Sequence, residues 1–393
     1  MKKITPFLCT ALAVGSLSAQ TLIQTYKDRA DLVSQTNITN NLQEFSNFGI
    51  KATGSVNNAN TLAWIKNKYT SYGYSASQIV ENPFTFGGIS SKNLVITKTG
   101  TLYPDKYVII CGHFDTITGP GTSDNGSGTS VILEVARILK DVPTEYSIKF
   151  IHFSGEEDGL YGSSHYANKV AFQNGVKKLD IKLVFNLDQV GGKIGNVNNT
   201  IICEKDTGGQ SGNNAASETI TQQLATCTTL YSPLQTSISN AYSSDYMPFE
   251  KKGYVITGFY EYTRSYNEHT VNDTFANVDP VYVFKVGKAA VGAMQHFATA
   301  STVAPAPVAK EKQVKSLEAV KIYPNPAKDV LTIELPDSTT KNFTVEITDL
   351  SGQSFLKEEN QAQLNISRLA KGIYLCTINA EGSSVTKKII IEK

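Results

Sequence analysis

Apolar residues fall into two rhythms along the chain. Between Asn60 and Tyr72, Leu62, Ile65 and Tyr69 recur at helical spacing with Trp64 beside them. Thr129 to Lys140 places Ile132, Val135, Ala136 and Leu139 on one stripe, and Val281 to Thr299 reads as another helix. Against these stand short, nearly continuous apolar runs rich in Val, Ile and Phe: Lys106 to Cys111, Ser147 to Phe153 and Lys182 to Leu187. Such runs suit strands buried on both faces of a mostly parallel sheet, with Thr129–Lys140 as the crossover between the first two. The pattern predicts an α/β domain over residues 20–300, a central, mostly parallel sheet flanked by helices.

The rhythm stops at Thr302 to Ser316, an Ala-, Pro- and Lys-rich stretch without period that reads as a linker over residues 301–319. Beyond it, DVLTIEL, FTVEITD, LNISR, GIYLCTI and VTKKIIIE are short strands separated by turn residues, predicting a small β-sandwich over residues 320–393. At the other end, Lys2 and Lys3, the apolar stretch Phe7 to Val14 and the small residues before Gln20 predict a cleaved export signal over residues 1–19.

Composition narrows the function classes. Lys plus Arg is 36 and Asp plus Glu is 35, so there is no basic footprint for nucleic acid. No run after the first residues reaches the roughly 20 apolar positions of a membrane-spanning helix. Removal of the signal leaves Cys111, Cys203, Cys227 and Cys376, too few in a chain this long for a disulfide framework. Either a Cys203–Cys227 bridge or four free, mostly buried thiols fits.

In open α/β sheets, sites form beyond the carboxyl ends of the strands. Metal-capable side chains gather at such places: His113 and Asp115 in CGHFDT, Asp124 in GTSDNGSG, Glu156 and Glu157 in FSGEEDG, Asp188 in FNLDQ, and His269 in YNEHTVNDTF. Imidazole nitrogen and carboxylate oxygen are zinc ligands, and a short carboxylate can bridge two metals. Asp124, just before a helix, is also favoured by the positive end of the helix dipole. Glu156 and Glu157, adjacent at a strand end, are expected to point in different directions. Only five histidines exist, and two fall in these segments; His152, His165 and His296 read as structural. SDNGSG lacks the lysine of a P-loop and the alternating acids of an EF-hand, and neither HExxH nor GxSxG occurs.

The ordered set HFD, SDNGSG, GEE, NLD and HT..DT, running from about Leu42 to Phe297, resembles the co-catalytic zinc aminopeptidases of metallopeptidase family twenty-eight. That family of zinc exopeptidase-like folds includes secreted leucyl aminopeptidases, carboxypeptidases and glutaminyl cyclase relatives. The resemblance implies two zinc ions: His113, Asp124 and Asp188 on one, and Asp124, Glu157 and His269 on the other. It implies Glu156 as general base and Asp115 as the carboxylate that fixes the tautomer of His113. It further implies hydrolysis of amino-terminal peptide bonds, in which Glu156 helps deprotonate a metal-bridging water and hands the proton to the leaving amine. Peptide or protein amino termini are then the substrates. A carboxypeptidase, a glutaminyl cyclase-like enzyme or a catalytically silent surface binding module are the alternatives. SSDYMPFEKKGY and GFYE, with Asp245 and Glu261, also look like family segments but receive no role. Gln189 stands where a hydrophobic residue is common, and Glu268 precedes His269 as extra negative charge.

Finally, KIYPNPAKDVLTIEL, TDLSGQ, LNISRLAKGIYLCTI and VTKKIIIEK resemble the carboxyl-terminal sorting domain of type IX secretion cargo. Together with the signal segment, this implies export through the periplasm to the cell surface or medium, with the type IX machinery as partner.

Overall fold

A computed structural model describes residues 20–209, 212–303, 320–335, 342–349, 353–380 and 383–392. The expected signal segment, and the expected linker from residue 304 onward, lie outside the described residues. Two compact units divide after Ala304.

In the first unit, the strands are β1 (Ile79–Phe86), β2 (Ile89–Lys98), β3 (Tyr103–His113), β4 (Tyr146–Phe153), a short ribbon of β5 (Phe172–Gln173) and β6 (Val176–Lys177), β7 (Asp180–Leu187), β8 (Thr200–Lys205), β9 (Gln235–Asn240) and β10 (Ile256–Glu261). Eight of them form one sheet in the order β1-β2-β4-β3-β7-β10-β8-β9. Its centre, β4-β3-β7-β10, is parallel, as the unbroken apolar runs require. The β1–β2 hairpin and β8 add antiparallel pairs on either side. Strand β9 had no apolar signal to betray it: QTSISN is polar and lies at the sheet's edge.

Helices α1 (Gln24–Ala30), α2 (Gln35–Asn47), α3 (Val56–Ser71), α4 (Gly128–Leu139), α5 (Tyr161–Tyr166), α6 (Asn214–Tyr231), α7 (Met247–Glu250) and α8 (Pro280–Phe297) cover both faces. Ser34 and Ser55 cap α2 and α3 by accepting from Asn37 N and Asn58 N, and Asp279 caps α8 just before Pro280. Alternation along β3 divides the core. Val108 and Ile110 join the cluster under α4 and α8, whereas Ile109 and Cys111 join the one that includes Tyr166 and Phe249. Both faces of β3 are therefore dry.

All four cysteines of the described chain are buried and free, so the Cys203–Cys227 bridge is not made. His152 and His296 have structural partners, the hydroxyls of Tyr69 at 2.9 Å and Tyr231 at 2.7 Å. His165 sits at the end of α5 rather than at a helix start.

The second unit contains β11 (Lys321–Tyr323), β12 (Val330–Glu334), β13 (Phe343–Thr348), β14 (Ser354–Glu359), β15 (Gln363–Asn365), β16 (Gly372–Ala380) and β17 (Ser383–Ile391). They make two antiparallel sheets, β11-β12-β15 and β14-β13-β16-β17. Leu331, Ile333 and Leu364 of one sheet share a core with Val345, Ile347, Cys376 and Ile378 of the other, the arrangement of a sandwich.

Ile110 is fully buried. Ile110→Ala is expected to destabilise the first unit by about 2–5 kcal/mol in denaturant unfolding, through lost transfer energy and a cavity. Val80→Ala, at a position 53% exposed, is expected to stay within about 0.5 kcal/mol.

Candidate metal centre

The parallel strands end on one edge, and the sequence-predicted residues converge there. His113 is the last residue of β3, Asp188 follows β7 directly, and Asp124 lies in the loop between β3 and α4. Glu156 and Glu157 sit on a turn three and four residues past β4, not on the strand end itself. His269 lies on the loop between β10 and α8, in a left-handed backbone conformation.

Close approach of these loops depends on small residues. A Cβ on Gly112 would lie 2.5 Å from the Leu187 carbonyl oxygen, so β3 and β7 could not bring His113 and Asp188 together with any larger residue there. Asn125 stitches the same region. Its Nδ2 donates to Leu187 O at 2.7 Å and its Oδ1 accepts from Gly128 N at 2.9 Å. The amide capping the start of α4 is thus satisfied by Asn125, while Asp124 is left to face the metal donors.

The donors form two trios that share Asp124. His113 Nε2 lies 3.0 Å from Asp124 Oδ1 and 3.3 Å from Asp188 Oδ1. His269 Nε2 lies 3.2 Å from Asp124 Oδ2 and 2.8 Å from Glu157 Oε2. Each oxygen of one carboxylate therefore belongs to a different trio. Two ligands held about 2.0–2.1 Å from a tetrahedral zinc are themselves roughly 3.3 Å apart, so these spacings and donor types fit zinc.

A surrounding layer holds the donors in place. Asp273 accepts from Ser123 N at 2.7 Å and Asp124 N at 2.9 Å. Asp188 Oδ2 accepts from Ser244 Oγ at 2.6 Å and Tyr242 OH at 3.0 Å, leaving Oδ1 for the first trio. Glu261 accepts from Gly192 N and Ser265 N, both at 2.7 Å, and so ties the loop after β7 to the one carrying His269. Sequence reasoning assigned none of these supporting roles. The Asp of HT..DT, Asp273, and Glu261 in GFYE were their visible signals.

Asp115 differs from its expected role. His113 Nδ1 lies 3.1 Å from the backbone carbonyl of Asp115, while the carboxylate stands 3.7 Å away. The carboxylate instead accepts Glu156 N and Glu157 N, each at 3.2 Å, because the glutamate turn folds back over it. Main chain fixes the tautomer, and the side chain positions the glutamates. Glu268, expected to add charge, is paired with Arg264.

The electrostatics report a surplus of negative charge. Burial pushes Glu156 up to about 10, with Asp188, Asp245 and Asp115 adding to the shift against His113. Burial and then Asp124 push Glu157 up to about 8. Burial alone would lower His113, but Asp188, Glu156 and its hydrogen-bonded carboxylates raise it well above its ordinary value. The Asp124 hydrogen bond raises His269 to about 9. Burial takes Asp245 and Glu261 to about 7 and Asp273 to about 6. Burial also works against the charged form of Asp124, yet hydrogen bonds from the two histidines hold it below the usual range. Every raised group carries a proton in the folded protein at pH values where the unfolded chain has lost it. Metal-free protein should therefore lose stability as pH rises between about 5 and 9. Zinc supplies the missing positive charge and displaces protons, so the gain in Tm on adding zinc is expected to be larger near pH 8 than near pH 6. Thermal scans with and without chelator across that range check the sign.

Comparisons with known proteins bear on the family and the fold. Residues 93–294 match peptidase family M28, and residues 321–392 match a secretion system C-terminal sorting domain. Aminopeptidase YwaD of Bacillus subtilis is 43% identical over 108 residues, which covers 27% of this chain and 23% of that protein. The match thus spans about a quarter of the relative's length. The fold is shared with the aminopeptidase LapA of Legionella pneumophila, at a TM-score of 0.61 and 20% identity over 76% of this chain and 80% of the other. It is shared too with the glutaminyl cyclase of Porphyromonas gingivalis, at a TM-score of 0.55 and 17% identity over 68% and 99%. With the family match covering more than half its length, the chain belongs to peptidase family M28.

Proposed function

We propose that the protein is a secreted aminopeptidase that works with two zinc ions. The observation that carries this reading is the pair of complete donor trios joined through Asp124, with the neighbouring Glu156 left outside both. His113, Asp124 and Asp188 hold one ion, and Asp124, Glu157 and His269 the other. Zinc, when bound, supplies Lewis acidity, polarising a carbonyl oxygen and making a nearby water more acidic.

The chain's own groups do the rest. Glu156 accepts a proton from the attacking water on its carboxylate and returns it to the amide nitrogen that leaves. Asp115 holds the backbone of that glutamate, so the base stays next to the trios. Tyr242 and Ser244 keep Asp188 oriented. The substrate's free amino group is received near Glu157 and His269, where acids predominate, which limits cleavage to chain ends. A glutaminyl cyclase of this fold would use one metal per chain. The completeness of both trios favours the two-metal reading, and metal counting separates the two.

The tail match supports a second part of the proposal. The signal directs passage across the inner membrane, and residues 320–393 direct the type IX machinery to carry the enzyme from the periplasm to the outside.

Purified enzyme is expected to contain close to two zinc ions and to release free amino acids from a mixed peptide library, with activity lost to chelator and restored by zinc. Glu156→Gln should keep the zinc and lose about three orders of magnitude in kcat. Loss of zinc from Glu156→Gln, with turnover recovered in excess zinc, would show that Glu156 is a ligand instead.

Deletion of residues 320–393 should leave the specific activity intact and trap the enzyme in the periplasm. Cell fractionation with activity assays checks this. Normal extracellular levels of the truncated protein would rule out a sorting role.

A further inference from the structure

Next to the metal donors lies a cavity of about 330 Å³ whose walls belong to β8, β9 and β10 and to the segments that follow β7, β9 and β10. Its position is set by two contacts with the metal donors. Tyr242 donates to Asp188 Oδ2, and Gln189 Nε2 donates to Asp124 Oδ2 at 2.9 Å; both residues line the cavity. A substrate residue whose carbonyl lies at the metal centre has this space for its side chain.

The register of β8 and β10 decides what that side chain meets. Ile202 pairs with Tyr260 and Glu204 with Gly258. Alternation sends Ile202 and Glu204 to the cavity face, while Cys203 turns to the core on the other side. Gly258 leaves room for the acid, since a Cβ there would lie 2.6 Å from Glu204 Oε2. Glu204 is only 2% exposed, and its Oε2 accepts from Tyr246 OH at 2.9 Å. No cation pairs with Glu204 among the described residues. The one basic lining residue, Arg264, is half exposed and is already paired with Glu268. Gln189, 8% exposed, adds an Oε1 acceptor that is buried without a hydrogen-bond partner.

Resting on the aminopeptidase reading, we propose that this pocket selects an amino-terminal lysine or arginine. The aliphatic stem lies along Ile202 and the rings of Tyr242 and Tyr260, and the cationic head reaches Glu204, with Gln189 Oε1 as a further acceptor. Burial raises Glu204 to about 8, and a cationic head, unlike an acidic one, favours its charged form. Leucine gives the buried carboxyl no partner beyond the Tyr246 hydroxyl and so is disfavoured.

The test uses the zinc-loaded full chain at neutral pH with the 4-nitroanilides of lysine, arginine, leucine, phenylalanine and glutamate. The kcat/KM for lysine and arginine should exceed that for leucine by at least about tenfold. Glu204→Gln should reduce the lysine-to-leucine ratio by at least about tenfold, with the change mainly in KM for lysine. In the wild-type enzyme, free lysine should inhibit more strongly than free leucine, a comparison that decides the matter even if the variant does not fold. Leading rates for leucine or phenylalanine overturn the proposal, as does an unchanged ratio in active Glu204→Gln or stronger inhibition by leucine. A leading rate for glutamate overturns it as well and makes Arg264 the selecting group. Failure to cleave any of the five substrates has a different signature: it removes the aminopeptidase reading and this inference with it.

Discussion

Carboxylates are buried at the ends of β3, β4 and β7 in greater number than the imidazoles of His113 and His269 can neutralise. Asp124, Asp188 and Glu157 face those two rings, and Glu156, Asp115 and Asp245 crowd behind them. Burying like charges in a low-dielectric interior is strongly unfavourable unless cations join them. That constraint explains why Asp115, Glu156, Glu157 and Asp245 are pushed up in the metal-free protein. It also makes zinc binding and the stability of this end of the sheet one thermodynamic problem.

Asp124 is where the constraint is sharpest, since it contributes an oxygen to each trio. The protein holds it through its neighbours. Asp273 takes the two amides at positions 123 and 124, and Asn125 bridges β7 to the first turn of α4. Lys51 supports the same loop from below. Fully buried, it donates its ammonium to the carbonyl oxygens of Phe45, Gly49 and Pro120, and burial brings its pKa down to about 7. On the two-metal reading proposed above, the bridging carboxylate must be rigid, because a loosely held one would let the metal spacing drift.

The pocket beside the centre follows a different logic. Its walls come from the antiparallel addition of β8 to β10, on the flank of the parallel core. The lining of this pocket is thus carried mainly by strands other than those that end at His113 and Asp188. Glu204 is accommodated opposite Gly258 because the facing residue has no side chain.

Local pattern and residue chemistry were enough to determine a good deal. The dry apolar runs of β3, β4 and β7 demanded a parallel sheet, the stripe on α4 demanded a crossover, and the acids and histidines after those strands announced a metal centre. The alternating segments after Val320 announced a second, all-β unit. Tertiary structure decided what no spacing carries. It made the Asp115 carboxylate a holder of the Glu156 and Glu157 amides and gave the ring of His113 to a backbone carbonyl, because the turn after β4 folds over residue 115. It kept Cys203 and Cys227 as separate buried thiols. It placed polar β9 at the sheet's edge, where no apolar rhythm is required. It brought Gln189, Glu204, Tyr242 and Tyr260 around one cavity from four separate stretches of chain. Periodicity reports which face of an element is dry; which distant side chains meet across that face depends on register, and register is a property of the folded whole.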